Sequence, residues 1–409
     1  MKKFFLAAAA FAVVGLVSCT ESSDNDFKGI DNDERAQILF SVADNNISVS
    51  TRGTGAVGDD STNISNNVWR GEKLNVYMFK KDVETLQIAT DMYGDIFNNT
   101  EVVTPNSTEA TAGGYASYGA PKYYPMAGNY DFFAYHACDA ALDVPAPNDD
   151  ETQYLLPVAL NGTQDLMISK ADMSDKQREK FLEFDPTGER YYSAYSARRK
   201  IGYDGNENEN GIQPHFKFQH LLSRLVFFIK PSSELVSENN VVDGEYYGVT
   251  IDSIKIFDTA TEGNLIVAWK GEAPQSYLVD FAEATDSVAL MQKVEGETEA
   301  HMLETLTPFR PVWDEETSEG ATTRVGESLL LVPQNEYKLK IYISQIPSEG
   351  ANKYLNVHEA IIKPTATSFE AGKQYNVTFT VYGLEEIKLE LELVPWAVGE
   401  DIPVDNDKN

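Results

Sequence analysis

Short apolar runs with a period of two are the strongest constraint on this chain. Lys73 to Phe79 reads KLNVYMF, Leu221 to Ile229 reads LLSRLVFFI, and Val249 to Phe257 reads VTIDSIKIF. Glu327 to Val332 (ESLLLV), Tyr337 to Ile343 (YKLKIYI) and Tyr375 to Tyr382 (YNVTFTVY) continue the series. Tyr, Val, Ile, Phe and Thr fill these runs, and Gly, Pro, Asn and Asp separate them. Alternation at that period buries one face of an extended strand. Helical periodicity is rare, and the best helix candidate is Ser174 to Phe184 (SDKQREKFLEF). The pattern predicts an all-β, sandwich-type fold. At 409 residues and 42% hydrophobic content the chain has length for two domains. The most linker-like interior segment is Asp204 to Gly211 (DGNENENG), which places the boundary there.

The N-terminus predicts the compartment. Met1-Lys2-Lys3 is basic, Phe4 to Gly15 is uncharged, and Leu16-Val17-Ser18-Cys19 closes the run. The run is too short for a permanent bilayer span, and a small residue precedes the cysteine. This reads as a signal peptide over residues 1–18 with lipidation at Cys19, anchoring the precursor in a membrane through more than one acyl chain. Residues 20–34 (TESSDNDFKGIDNDE) read as a polar tether. With Cys19 consumed, Cys138 is the second and last cysteine. No disulfide framework or zinc pattern exists, and His215 and His220 fit no metal spacing. The sequence therefore predicts no metal and no cofactor. Basic residues number 33 against 64 acidic ones, a net charge of −31. That balance argues against nucleic acid and anionic membrane surfaces as partners.

Gly53, Gly55 and Gly58 spell G-x-G-x-x-G, a dinucleotide fingerprint. Such a loop needs a helix behind it to hold the pyrophosphate. Here DDSTNISNN follows, with no apolar stripe, so the stretch reads as a linker, with Arg52 in front of it. Upstream, Ala36 to Ala43 (AQILFSVA) sets Ile38, Phe40 and Val42 on one face. At the other end, Ile387 to Val394 (IKLELELV) sets Ile387, Leu389, Leu391 and Leu393 on one face and Lys388, Glu390 and Glu392 on the other. Two similar amphipathic strands thus bracket the chain. Either both pair in the core sheets, or they occupy the same groove at different times.

Several stretches in order carry a family resemblance over nearly the whole chain. After the lipobox and acidic tether comes Ser50-Thr51-Arg52-Gly53, then Trp69-Arg70-Gly71-Glu72 before LNVYMF. Tyr124-Pro125 and Gly128 precede YDFFAYHA, followed by Asp165-Leu166-Met167 and by residues 218–225 (FQHLLSRL). LLVPQ (330–334), residues 369–375 (FEAGKQY) and a final strand ending at Trp396 complete the set. This order resembles the fimbrillins, subunits of the type V pili of Bacteroidetes. The resemblance implies two transthyretin-like β-sandwich domains in tandem, over residues 53–208 and 209–386. It implies a precursor anchored in the outer membrane and then part of a surface fimbrium. It implies that an arginine-specific protease cuts after Arg52, so that Gly53 becomes the N-terminus and residues 19–52 leave, and that the vacated groove then accepts the C-terminal region, residues 387–409, of the next subunit. Arg35 and Arg70 are other candidate cut sites; Arg52 is preferred for its small, flexible neighbours.

The implied partners are further copies of the chain, other pilus subunits, the protease, and a host or bacterial surface receptor. A tip or accessory subunit and a glycan-binding surface lipoprotein are the alternatives, with Trp269 or Trp313 as adhesive or core residues. No nucleophile elbow or metal cluster suggests an enzyme, and adjacent acids such as Asp149-Asp150 or Glu385-Glu386 are expected by chance among 64. The basic run Arg198-Arg199-Lys200 reads as a solvated face.

Overall fold

A computed structural model describes residues 36–42, 71–81, 88–92, 96–104, 115–172, 179, 181–183, 192–198, 211–281, 286–293, 300–302 and 308–394. The fold is all-β, as the alternation predicts. The strands expected from sequence form at Lys73–Lys81, Ser223–Pro231, Val249–Thr259, Thr323–Leu331, Tyr337–Gln345 and Gln374–Val381. Within the candidate helix, residues 179 and 181–183 are helical, and Phe181 joins the first core.

That first core lies between two sheets. One is three-stranded, with Phe40–Val42 in the centre, parallel to His215–Phe216 and antiparallel to Tyr115–Ala116. The other is six-stranded. Gln219–His220, Met167–Lys170, Asn129–His136, Lys73–Lys81 and Ile88–Met92 follow one another, and Thr100–Val103 also pairs with Lys73–Lys81. Alternation along its central strands serves two cores at once. Leu74, Val76, Met78, Phe132 and Ala134 face the first core, while Tyr77, Phe79, Phe133 and Tyr135 face another. A sheet buried on both faces needs apolar residues at nearly every position. That is why KLNVYMF, expected to alternate, is buried without a break from Val76 to Phe79, and why Tyr130 to His136 is buried throughout.

The second face of the six-stranded sheet is covered by residues from both halves of the chain. Glu262–Trp269 pairs with Gln153–Ala159, flanked by Leu278–Val279 and Ala146–Pro147. Leu156, Val158 and Leu265 to Trp269 fill this middle core, and Trp269 packs edge-on against Phe133 at 4.7 Å. Gly162 joins the halves closely: its carbonyl accepts from Leu330 N at 2.8 Å. Its φ is +94°, and a Cβ there would lie 2.3 Å from Val288 Cγ1. Only glycine meets both conditions without rearrangement.

The last core lies between two four-stranded sheets. One runs Thr323–Leu331, Ser223–Pro231, Gln374–Val381, Ile387–Val394; the other runs Asp286–Ala289, Val249–Thr259, Tyr337–Gln345, Tyr354–Ile362. Each has an outward face, so alternation is clean: Tyr375, Val377, Phe379 and Val381 are buried and the residues between them are not. Residues 211–218, beyond the boundary expected at 208/209, complete the first core through Ile212, Phe216 and Phe218. They do so because the Phe40 strand takes His215–Phe216 as one of its two neighbours.

Candidate functional site

The two terminal strands are the candidate assembly elements. Phe40 is the anchor of the first. Its ring is fully buried among Phe97 (4.8 Å between centroids), Phe216 (5.4 Å), Phe132 (5.6 Å) and Tyr118 (5.7 Å). Ile38 is equally buried and Ala36 nearly so. Full burial of Ile38 and Phe40 contributes roughly 1.5–3 kcal/mol each, gross. The backbone is held on both sides. Ile38 N donates to Lys122 O at 2.9 Å, Tyr124 N donates to Ala36 O at 2.9 Å, and Ser41 N donates to Pro214 O at 3.1 Å. Tyr118 also donates its hydroxyl to Ile38 O. Where Pro214 interrupts the neighbouring strand, the Gln213 side chain substitutes for strand pairing. Its Oε1 accepts from Leu39 N at 3.0 Å and its Nε2 donates to Gln37 O at 3.0 Å. Ser41 Oγ and His215 Nδ1 meet at 2.9 Å.

The strand Ile387–Val394 sits differently. It pairs antiparallel with Gln374–Val381 of its own chain over eight residue pairs, from Ile387↔Val381 to Val394↔Gln374. It is the last strand of its sheet. Ile387, Leu389 and Leu391 are half-buried against the last core, while Leu393 is 51% exposed. Lys388, Glu390 and Glu392 face solvent, and Lys388 Nζ pairs with Glu390 Oε1 at 2.8 Å. That partnership raises the Lys388 pKa and lowers that of Glu390. The turn into this strand is clasped from the opposite sheet. Leu384 O accepts from Asn356 Nδ2 at 2.8 Å and from His358 Nε2 at 2.9 Å.

Cys19, Arg52 and Gly53 lie outside the described residues, as do Arg35 and Arg70. Trp269 is a core residue; Trp313 is half-buried in a hairpin with Glu319–Gly320. Arg198 ends the short helix Ala194–Arg198. Among the described residues no cluster of His, Cys, Asp or Glu is placed to hold a metal ion. Sequence reading missed the Gln213 clamp and the Asn356–His358 clasp. Gln213 carries one signal, its position beside Pro214, which cannot donate a backbone hydrogen bond.

A fimbrillin-like family model matches residues 62–396, most of the chain and nearly all of the described fold. The chain belongs to the fimbrillin-like family. Among solved structures, this chain is similar to a fimbrial protein of Bacteroides vulgatus ATCC 8482. The two are 13% identical, with a TM-score of 0.44, over 89% of this chain and 100% of that one. A proposed cell adhesion protein of Bacteroides uniformis ATCC 8492 is 14% identical, with a TM-score of 0.43, over 90% and 100%. A fimbrilin of Porphyromonas gingivalis W83 is 10% identical, with a TM-score of 0.38, over 90% and 99%. Among curated proteins none matches.

Proposed function

We propose that this fimbrillin is a structural subunit of a surface pilus that supports adhesion and polymerises by strand exchange. The precursor is exported as a lipoprotein anchored through Cys19 and is cut after Arg52. The Phe40 strand then leaves, and the Ile387–Val394 strand of a neighbouring subunit takes its groove. The observation that carries this reading is the place of Phe40–Val42, a central strand whose neighbours both come from distant parts of the chain. Its loss exposes two sheet edges and a strip of core, a template for another strand. Ile387, Leu389, Leu391 and Leu393 supply the required period, and full burial of each contributes roughly 1.5–3 kcal/mol gross. A one-residue slip would put Lys388 and the glutamates into the groove, so the pattern fixes register. Such head-to-tail contact does not close on itself and builds a fibre.

Intact mass and N-terminal sequencing of protein recovered from the cell surface test this. A mature chain starting at Gly53 supports the reading. A start at Cys19 with no shorter form overturns it in favour of a surface lipoprotein that keeps its first strand. Cys19→Ala is expected to abolish incorporation of labelled fatty acid; unchanged labelling removes the lipid anchor from the scheme.

A further inference from the structure

In a chain of net charge −31, Arg310 is placed unusually. Its guanidinium lies 4.1 Å from the centre of the Tyr246 ring and has no hydrogen bond or ion pair among the described residues. The segment 308–310 extends a sheet. Phe309 and Ile251 exchange backbone hydrogen bonds of 2.8 and 3.0 Å, which sets Arg310 beside Thr250, the partner of Ser344 across the strands. Phe309 and Ile251 face the last core, so the alternation turns Arg310, Thr250 and Ser344 to the opposite face.

These residues line a cleft of about 390 Å³, with Tyr246, Glu245 and Lys353 around them. The volume falls in the range of small-ligand sites, roughly 300–1,000 Å³. Thr250, half-buried, offers a hydroxyl at the floor, held at 2.6 Å by the wholly buried Ser344 Oγ. Lys353 is half-exposed and only loosely held, 3.5 Å from Asp252 Oδ1. Glu245, the one carboxylate in the lining, accepts from the Tyr247 hydroxyl at 2.9 Å. Leu355, paired across the strands with Ser344, is 73% exposed beside the cleft.

A ligand that fits needs an anionic group for Arg310 and Lys353, a hydroxyl for Thr250, and a C–H face for Leu355. A ring-stacked guanidinium presents its donors in a fork matched to a carboxylate. We propose that this cleft binds a carboxylated sugar, with its carboxylate on Arg310 and Lys353 and a hydroxyl on Thr250. No residue lining the cleft belongs to either terminal strand, and the proposal does not depend on the assembly reading.

The test titrates the full chain with methyl glucuronide, methyl glucoside, acetate and a tetraglutamate peptide, by calorimetry and ligand-observed magnetic resonance. Methyl glucuronide is expected to bind saturably, and methyl glucoside and acetate at least ~10-fold more weakly. Arg310→Ala is expected to weaken glucuronide binding ~10-fold with an unchanged melting temperature, and Arg310→Lys to recover only part of it. Absent or non-saturable glucuronide binding, equal affinity for the glucoside, or full affinity in Arg310→Ala overturns the proposal. Acetate binding as tightly as glucuronide overturns the sugar assignment, and tighter binding of tetraglutamate overturns it in favour of a protein ligand.

Discussion

Phe40–Val42 and Ile387–Val394 share an amphipathic pattern and occupy opposite kinds of place. The first is three residues long, central in its sheet, and anchored by a ring buried among four others. The second is eight residues long, lies at a sheet edge, and is half-buried. Length therefore does not set how firmly a strand is held; position does. A central strand leaves only when the connection to it is cut or both neighbours open. An edge strand frees itself by breaking one ladder and uncovering half of its apolar face. The same contrast assigns the proposed roles, with proteolysis for the buried strand and reversible peeling for the exposed one.

The largest test of that contrast is Phe40→Ala. Removing a fully enclosed aromatic ring is expected to destabilise the precursor by roughly 3–5 kcal/mol in urea unfolding. A mature chain that begins at Gly53 lacks residue 40, so mature protein obtained from the variant is expected to unfold as the wild type does. A small loss in the precursor would mean that the groove collapses around the vacancy, and the contrast would weaken.

Next in size is Leu389→Asp combined with Leu391→Asp. These side chains are only half-buried, so the expected loss is roughly 2–4 kcal/mol, combining lost apolar burial with partial desolvation of two carboxylates. Amide exchange should quicken along 374–381 and 387–394 and stay slow around Phe40. Heat-sensitive oligomer ladders on unboiled denaturing gels should disappear. Persistence of the ladders would move the donor elsewhere, into residues 399–404.

Asn356→Ala sharpens the picture of the edge. It deletes one of the two donors on Leu384 O, a loss of roughly 0.5–1.5 kcal/mol. The expected sign is faster exchange in the 387–394 strand and faster ladder formation, read from time courses. Slower assembly would show that the clasp holds the strand ready instead of holding it back. The smallest effect belongs to Lys388→Ser with Glu390→Ser. This exposed pair is expected to leave stability and ladders unchanged, and its main consequence is a loosened register.

Much of this was legible in the sequence, for a physical reason. Strands with one solvated face, such as Gln374–Val381, announce themselves by alternation, and so does Ile387–Val394. Ile38 and Phe40 were legible as the buried side of a strand. Their neighbours were not, because His215–Phe216 and Tyr115–Ala116 are two residues each, too short to show a period. The Asn356–His358 clasp on Leu384 O was equally hidden, since a side chain reaching a backbone carbonyl across sheets leaves no local pattern. The pairing of Gln153–Ala159 with Glu262–Trp269 joins segments on either side of the expected boundary. Only topology records it.

That pairing bears on how the chain comes to be folded at all. Its seven residue pairs link positions about a hundred residues apart. Contacts this remote form late and slow the search. As the chain emerges from its N-terminus, Tyr77, Phe79, Phe133 and Tyr135 are made early, yet their cover is completed only by Leu265 to Trp269 and Leu330. For that interval the N-terminal half holds an aromatic surface that its own Leu156 and Val158 cover only in part, a condition under which chains stick to one another. A subunit destined for ordered association thus passes first through a stage in which disordered association is its chief hazard.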